Sequence, residues 1–152
     1  MPKQSAGILL YRKSEEIQVL LVHPGGPLFA RKDLGVWSVP KGEFLEDEDP
    51  LVAAQREFKE ETGQTISGSF MPLNSIKQKG GKTVYAWAVE GNINENEIVS
   101  NTFEMQWPPK SQKIQTFPEI DRAEWFNLDE AKKKINERQI SFLDELRILL
   151  EN

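Results

Sequence analysis

The sequence predicts an α/β fold in which a mixed β-sheet lies between helices. Three observations favour it: apolar strand-like segments open the chain, a sharply bounded helix spans residues 50–62, and an apolar stripe with helical spacing closes the chain. The chain has 152 residues, which suits a single hydrophobic core. We therefore expect one domain over residues 1–152.

Composition and charge exclude several classes of function. The formal net charge of -5 argues against binding nucleic acid or anionic membranes through a basic surface. The absence of cysteine excludes disulfides, thiolate metal sites and cysteine nucleophiles. We expect no stable nucleic-acid partner and no membrane association, and the oligomeric state is left open.

The N-terminal sequence argues for a cytoplasmic protein. Its apolar stretch is too short for the core of a signal peptide. No apolar run approaches the roughly 20 residues that span a bilayer. The missing cysteines also fit a reducing compartment.

Strands are predicted on both sides of residues 24–35. Residues 5–13 and 17–23 are rich in Ile, Leu and Val, and the polar SEE between them indicates a hairpin turn. Glycines and prolines predict a loop over residues 24–35. The short apolar VWSVP of residues 36–40, stopped by Pro40, predicts a further strand.

The helix over residues 50–62 has clear ends. Asp49 is a good cap for its free amides, and Pro50 suits the first helical position. Gly63 suits the position after the last turn. The sequence therefore predicts a helix that starts and stops abruptly between two loops.

Strands and helices also follow this helix. Residues 82–91 predict a strand after a QKGGK turn, and residues 92–118 a long loop with a short strand near Phe103. RAEWFNL, residues 122–128, predicts a last strand, after which Asn127 and Glu130 resemble a capping box. The closing helix carries an apolar stripe of Ile140, Leu143, Leu146 and Leu150.

Three carboxylates on the first helix require an explanation. Glu57, Glu60 and Glu61 fall within an arc of roughly 100°, beside the stripe that buries against the sheet. Like charges at these spacings destabilise a helix by roughly 0.2–0.5 kcal/mol per pair. The arc is either a solvated acidic face or a site for a hard divalent cation, which several carboxylate oxygens would ligate.

The residues around this arc stand at fixed intervals. In order they are Gly42, Glu48, Arg56, Glu57, Phe58, Glu60, Glu61 and Gly63. This pattern resembles the Nudix hydrolase signature Gx5Ex7REUxEExGU, in which U is a bulky apolar residue; only the last U departs, as Gln64. The flanking strands and closing helix resemble the Nudix α/β/α sandwich, a central mixed sheet between helices.

The resemblance implies a site and a reaction. Nudix hydrolases cut a pyrophosphate bond in a nucleoside diphosphate linked to another moiety, with Mg²⁺ or Mn²⁺. The implied metal-binding or catalytic groups are Glu57, Glu60, Glu61, the Gly42 carbonyl and Glu119 in FPEIDRAEWF, with Glu104 as a weaker candidate. Arg56 is expected to pair with Glu48 and hold the loop on the helix, and Gly63 is expected to be structural. The general base is either a glutamate of this helix or Glu119.

Other residues are candidates for substrate binding. Lys41, Arg31 and Lys32 could contact phosphates, and Trp107 or Phe29 could stack on a base. The remaining tryptophans, Trp37, Trp87 and Trp125, are expected in the core, and His23 is expected to be structural or to face a loop.

Several substrates are compatible with the resemblance. VPKGE resembles the lead-in of diadenosine tetraphosphate hydrolases, whereas HPGGPLFARKDLGVW resembles bacterial MutT-like proteins of predicted nucleoside-triphosphate pyrophosphohydrolase type. The tyrosine of many diadenosine tetraphosphatases is missing from residues 80–82, and Lys79 stands where many ADP-ribose members have proline. Three other functions are also considered: a non-catalytic nucleotide-sensing domain, an RNA 5′-pyrophosphohydrolase and an isomerase.

Overall fold

A computed structural model describes residues 3–151. The strands are β1 (Gln4–Lys13), β2 (Ile17–Pro24), β3 (Lys41–Glu43), β4 (Met71–Pro72), β5 (Ile76–Lys77), β6 (Thr83–Glu90), β7 (Thr102–Gln106), β8 (Ile114–Pro118) and β9 (Ile120–Asn127). The α-helices are α1 (Pro50–Thr62), α2 (Leu128–Lys134) and α3 (Ile140–Glu151). Single 3₁₀ turns cover Lys79–Gly81, Glu95–Glu97 and Glu137–Gln139.

The main sheet is mixed, as predicted. Within residues 3–151 it has seven strands, with the central order β4-β6-β1-β2-β9 and with β3 on β1 and β5 on β6. β1 and β6 run parallel over the register from Gln4–Thr83 to Tyr11–Glu90, while the other neighbours run antiparallel. The two opening strands therefore lie at the centre of the sheet, where both of their faces are covered.

Helices cover both faces of the sheet. Alternate residues of β1 point to opposite sides, as the period of a strand requires. Ile8 and Leu10 belong to the core beneath α1, together with Phe58. Leu9 and Tyr11 belong to the other core, which α2 and α3 close with Leu128, Ala131, Phe142, Leu143 and Leu146. The predicted helix–sheet–helix arrangement is confirmed, including the apolar stripe of the closing helix.

The predicted strand over residues 36–40 is wrong. This segment makes only two isolated bridges, Trp37 to Ile135 and Ser38 to Val22, and the ladder with β1 begins at Lys41. Its apolar character reflects the burial of Trp37 and Val39, which are 1% and 0% exposed. Burial of a connecting segment produced the same composition as a short strand.

The predicted long loop over residues 92–118 contains more regular structure than expected. β7 and β8 form a separate antiparallel pair with register from Thr102–Pro118 to Gln106–Ile114. The strand near Phe103 is therefore confirmed, and its partner was missed because residues 114–118 are mostly exposed and lack a buried face. No helix within residues 3–151 combines the length and apolar character that crossing a bilayer requires.

Both predicted ends of α1 are confirmed. The Asp49 carboxylate accepts a hydrogen bond from the Val52 N–H at 3.0 Å. Gly63 has φ of 76°, and its N–H donates to the Lys59 carbonyl at 2.7 Å. Since left-handed backbone favours glycine, Gly63 ends the helix and turns the chain away.

We expect Asp49→Ala to lower the free energy of unfolding by about 1 kcal/mol, since it leaves an amide of the first turn without its acceptor. Chemical denaturation measures the change. Asp47→Ala, at an exposed position in the same loop, is the control and should change stability little. Equal losses in both variants would contradict a capping role.

Candidate active site

Two of the predicted metal-binding residues, Gly42 and Glu57, meet where β3 passes α1. Gly42 lies in β3, opposite Ala6 of β1. A Cβ built on Gly42 would lie 1.9 Å from Glu57 Oε2, so the carboxylate packs directly on this backbone. Glycine is required here by the close approach of Glu57, since any side chain would displace it.

Arg56 connects the loop before α1 with two carboxylates of the helix. Its Nε and Nη2 donate to Glu48 Oε2 and Oε1 at 2.8 and 3.0 Å, which confirms the expected pair. Its Nη1 donates to Glu57 Oε1 at 2.9 Å and Glu60 Oε2 at 3.1 Å. The guanidinium also holds the pKa of Glu48 below its usual range. One cation therefore positions three carboxylates at once.

The helix still carries more negative charge than Arg56 balances. Burial, with repulsion from Glu60, raises the pKa of Glu57 to about 7 although Arg56 opposes the shift. Burial likewise raises the pKa of Glu61 to about 8, and the charges of Glu57 and Glu119 add to the effect. The Lys41 N–H donates to Glu61 Oε1 at 3.1 Å, which favours the ionised form but does not outweigh burial. These carboxyl groups thus lie in a region where an added cation would be favourable.

A cavity of about 180 Å³ opens beside Glu61. Lys41, Glu61 and Glu119 are its charged lining residues. The remaining lining is Val22, Pro24, Val36, Ser38, Val39 and Ile120. Burial lowers the pKa of Lys41, and the charge of Lys82 acts in the same direction. The cavity thus combines an apolar wall with one cationic side chain and two carboxyl groups.

Backbone hydrogen bonds fix the position of Glu119 between β8 and β9. Its N–H donates to the Asn101 carbonyl at 2.8 Å, and its carbonyl accepts from the Gly25 N–H at 2.8 Å. The side chain is exposed at the cavity. Its predicted role as metal ligand or base remains a prediction. Glu104 lies on β7 and does not line this cavity.

Three predicted substrate contacts lie outside the cavity. Arg31 and Lys32 are exposed in the loop between β2 and β3. Trp107 follows β7, and its backbone N–H donates to the Lys113 carbonyl at 2.9 Å. None of the three lines the cavity beside Glu61. Their binding roles therefore remain predictions that rest on residue type.

His23 is structural. It is 0% exposed, and its Nδ1 lies 2.8 Å from Asp121 Oδ1. Its Nε2 lies 2.7 Å from the Lys32 carbonyl oxygen. The ring therefore ties the loop after β2 to the start of β9. Trp37 is fully buried in the core, whereas Trp87 and Trp125 are only partly buried against it.

Sequence reasoning missed Ser38 and Pro24 as cavity residues. Ser38 interrupts the apolar VWSVP, and its backbone pairs with Val22 on the neighbouring strand. Pro24 ends β2 at a register shift against β9. A lone hydroxyl in an apolar run is a weak signal, so only the folded arrangement places these residues beside Glu61.

The donor groups fit a hard divalent cation. Glu57, Glu60, Glu61, Glu119 and the Gly42 carbonyl supply only oxygen, the donor that Mg²⁺ and Mn²⁺ prefer. Burial, with repulsion from neighbouring carboxylates, raises the pKa values of Glu57 and Glu61, so a bound cation would favour their ionised forms. With Arg56 Nη1 between two of the carboxylates, no three acidic or imidazole groups of residues 3–151 already converge on one point.

We expect Glu61→Gln to stabilise the metal-free protein increasingly as pH rises. Between the usual Glu pKa of 4.5 and the folded value of about 8, folded wild type holds a proton that the unfolded chain has released. The contribution of Glu61 to stability is therefore complete below the unfolded pKa and is lost as pH rises through the folded pKa. Unfolding in chelator at about pH 5 and about pH 8.5 measures the difference.

The control for this titration is Glu15→Gln, an exposed position in the β1–β2 turn. Its effect on stability should change little between the two pH values. A stability difference between Glu61→Gln and wild type that is independent of pH would contradict the burial of an ionisable Glu61.

Comparisons with known proteins agree with this geometry. The family model described as NUDIX domain matches residues 1–146. No curated protein sequence matches the chain. Solved structures show the same fold, and an Ap4A hydrolase of C. elegans in a binary complex is 24% identical, with a TM-score of 0.68 and coverage of 97% of this chain and 98% of that one.

Two further solved structures have similar TM-scores. A mutT/nudix family protein from Listeria innocua is 16% identical, with a TM-score of 0.65 and coverage of 99% and 96% of the two chains. The NUDIX domain of Shewanella oneidensis NrtR, complexed with ADP ribose, is 16% identical, with a TM-score of 0.64 and coverage of 99% and 89%. The family match over nearly the whole chain, together with the signature residues on α1 and in the segments beside it, shows that this protein belongs to the NUDIX domain family and is a Nudix hydrolase.

Proposed function

We propose that this Nudix hydrolase is a divalent-cation-dependent pyrophosphohydrolase whose substrate is a nucleoside triphosphate or a dinucleoside polyphosphate such as diadenosine tetraphosphate. The observation that carries the proposal is the packing of Glu57 on Gly42, beside Glu61 and the cavity that Glu61 shares with Lys41 and Glu119. Cations that accompany the substrate would offset the repulsion between these carboxylates and its phosphates.

The residues that would hold Mg²⁺ or Mn²⁺ are Glu57, Glu60, Glu61 and the Gly42 carbonyl, with Glu119, which lines the same cavity as Glu61. When bound, such a cation neutralises charge that develops on the phosphate oxygens during water attack. Arg56 is a positioning residue, because it orients Glu57 and Glu60 and connects both to Glu48.

Two groups are candidates for the general base. Glu61 lines the cavity, and the Lys41 backbone N–H donates a hydrogen bond to its Oε1 at 3.1 Å. Glu119 lines the same cavity and is exposed, with its backbone held by Asn101 and Gly25. The Lys41 side chain would contact a phosphate oxygen of the substrate.

A hydrolysis screen with product identification tests the substrate. It includes nucleoside triphosphates, dinucleoside polyphosphates, ADP-ribose, nucleotide sugars and RNA with a 5′-triphosphate or cap. Diadenosine tetraphosphate is included because one structurally similar protein is an Ap4A hydrolase. ADP-ribose is included because another similar structure, the NUDIX domain of NrtR, is complexed with it. Binding without turnover in every case would favour a nucleotide sensor, and turnover of RNA alone would favour a 5′-pyrophosphohydrolase. A cytoplasmic location remains part of the proposal.

We expect Glu57→Gln, Glu60→Gln and Glu61→Gln each to reduce kcat, by at least about 100-fold in the most affected variant. In chelator, Glu57→Gln and Glu61→Gln should keep or raise Tm at pH 8, because each removes a charge whose burial is unfavourable. Turnover in Mg²⁺ and melting in chelator measure the two effects.

Lys59→Gln is the control on the same helix. Lys59 is exposed and about 200° around the helix from Glu57, so its replacement should leave turnover near that of wild type. Near-native turnover in all three glutamine variants would place the reaction somewhere other than α1.

We expect turnover to be lost in excess chelator and restored by Mg²⁺ or Mn²⁺. Binding of the cation should also raise Tm, since a ligand that binds only the folded state stabilises it by mass action. The rise in Tm should shrink in Glu57→Gln and remain in Lys59→Gln. Full activity in chelator would contradict the proposed cation dependence.

A further inference from the structure

One free edge of the main sheet is formed by β9. This strand stands last in the order β4-β6-β1-β2-β9, and within residues 3–151 its only ladder partner is β2. A groove of about 880 Å³ runs along it, and its lining includes Arg122, Ala123, Glu124 and Trp125. Because successive residues of a strand point to opposite faces, a groove that touches all four must pass the open edge. The edge is therefore accessible from outside the molecule.

Backbone groups of β9 point to this open edge. Val22 of β2 exchanges both of its backbone hydrogen bonds with Ser38, at 2.9 and 3.0 Å, on the side away from β9. Ala123 lies opposite Val22, so it turns its N–H and carbonyl away from β2, and the two-residue period places those of Trp125 on the same side. Within residues 3–151 these four groups have no backbone partner. They are the donors and acceptors that an added antiparallel strand requires.

Two opposite charges flank Ala123 on the other face of β9. Arg122 and Glu124 are both exposed. Arg122 Nε lies 3.8 Å from Asp121 Oδ1, and half of the Arg122 side chain remains accessible to solvent. Glu124 has no ion-pair partner among residues 3–151. The edge thus carries a loosely paired cation and an unpaired anion two residues apart.

These charges fit a second copy of the same strand. A two-fold axis through Ala123 would pair this residue with its equivalent and place Arg122 of each chain opposite the partner's Glu124. In such an antiparallel pair the Cβ atoms of facing residues are about 4.5–5.5 Å apart, close enough for the two side chains to form an ion pair. Because the symmetry repeats each contact, two opposite-charge pairs would form at once.

Other two-fold registers are less favourable. The outward-facing backbone of Ala123 and Trp125 also permits an axis through Glu124 or through Trp125. An axis through Glu124 would place the two Glu124 carboxylates opposite each other, which is destabilising. An axis through Trp125 would place Glu124 opposite the partner's Phe126 and form no pair of opposite charges. The charges of β9 therefore favour the register about Ala123.

We propose that this protein forms a symmetric dimer in which β9 of one chain pairs antiparallel with β9 of a second chain about Ala123, so that two main sheets become one. The occupant of the edge is a second copy because the strand is complementary to itself in both backbone hydrogen bonding and charge. The paired segment is short, so we expect a dissociation constant of about 10–100 µM. Arg122, Ala123 and Glu124 do not line the cavity beside Glu61, so the pairing leaves that cavity open.

Sedimentation equilibrium at protein concentrations from about 1 to about 500 µM tests the dimer. Wild type should shift from the mass of one chain, 17.4 kDa, to that of two as the concentration rises. Arg122→Glu makes both cross-strand pairs glutamate with glutamate, and Glu124→Arg makes both arginine with arginine. Each should weaken association by about 10-fold or more. The double variant Arg122→Glu/Glu124→Arg restores opposite charges in reversed order and should associate within about 3-fold of wild type.

An equimolar mixture of the two single variants tests the register directly. In the mixed dimer each pair again joins a glutamate to an arginine, so the mixture should associate although neither variant does so alone at the same concentration. Lys77→Glu is the matched control, because Lys77 is exposed on β5, which pairs with β6 and not with β9. This control should associate as wild type does. Melting curves show whether each variant remains folded, and turnover in Mg²⁺ should stay near that of wild type in all of them.

Three results would overturn the inference. Wild type could keep the mass of one chain up to about 500 µM, or both single variants could associate as tightly as wild type. In the third, the double variant and the mixture would both fail to associate although every variant remains folded. If Arg122→Glu does not fold, Glu124→Arg alone decides the matter, since Glu124 has no ion pair to lose within residues 3–151.

Discussion

The site depends on the contacts of one guanidinium. Arg56 binds Glu48 in the loop that leads into α1 and, on the helix itself, Glu57 and Glu60. Without it, three carboxylates would repel one another, and the loop would lose its connection to the helix. With it, Glu57 is held against Gly42 of β3, so the helix, the loop and the edge of the sheet share one fixed geometry. The Arg56 side chain is 39% exposed, so its importance lies in the network of paired contacts and not in burial.

Local signals made the framework predictable. Asp49, Pro50 and Gly63 each act on the nearest turn of helix, so the bounds of α1 could be predicted from neighbouring residues. The alternating burial of β1 likewise follows from the strand period. The segment 36–40 and the β7–β8 pair were different. Residues 36–40 bury apolar side chains but form only isolated bridges and no strand ladder. The β7–β8 pair includes β8, which is mostly exposed and so lacks the alternating pattern of a half-buried strand.

The part of the site that could be predicted is the part set by spacing along the sequence. Gly42, Glu48, Arg56 and the helix glutamates stand at fixed intervals along one stretch of chain, so their grouping follows once α1 forms. Lys41 and Glu119 come from separate elements, and only the folded sheet brings both to one cavity. Arg31, Lys32 and Trp107 were candidates by residue type alone, which carries no information about distance, and the structure places none of them in that cavity.

The β7–β8 hairpin has a consequence for how such a protein can diversify. Within residues 3–151 its two strands pair with each other and not with the main sheet. Insertions or exchanges there leave the ladder of β1, β2, β6 and β9 intact, together with the helices packed on it. Since loops and small appended units tolerate change better than a shared core, the hairpin can change in sequence and length at little cost to the rest of the fold.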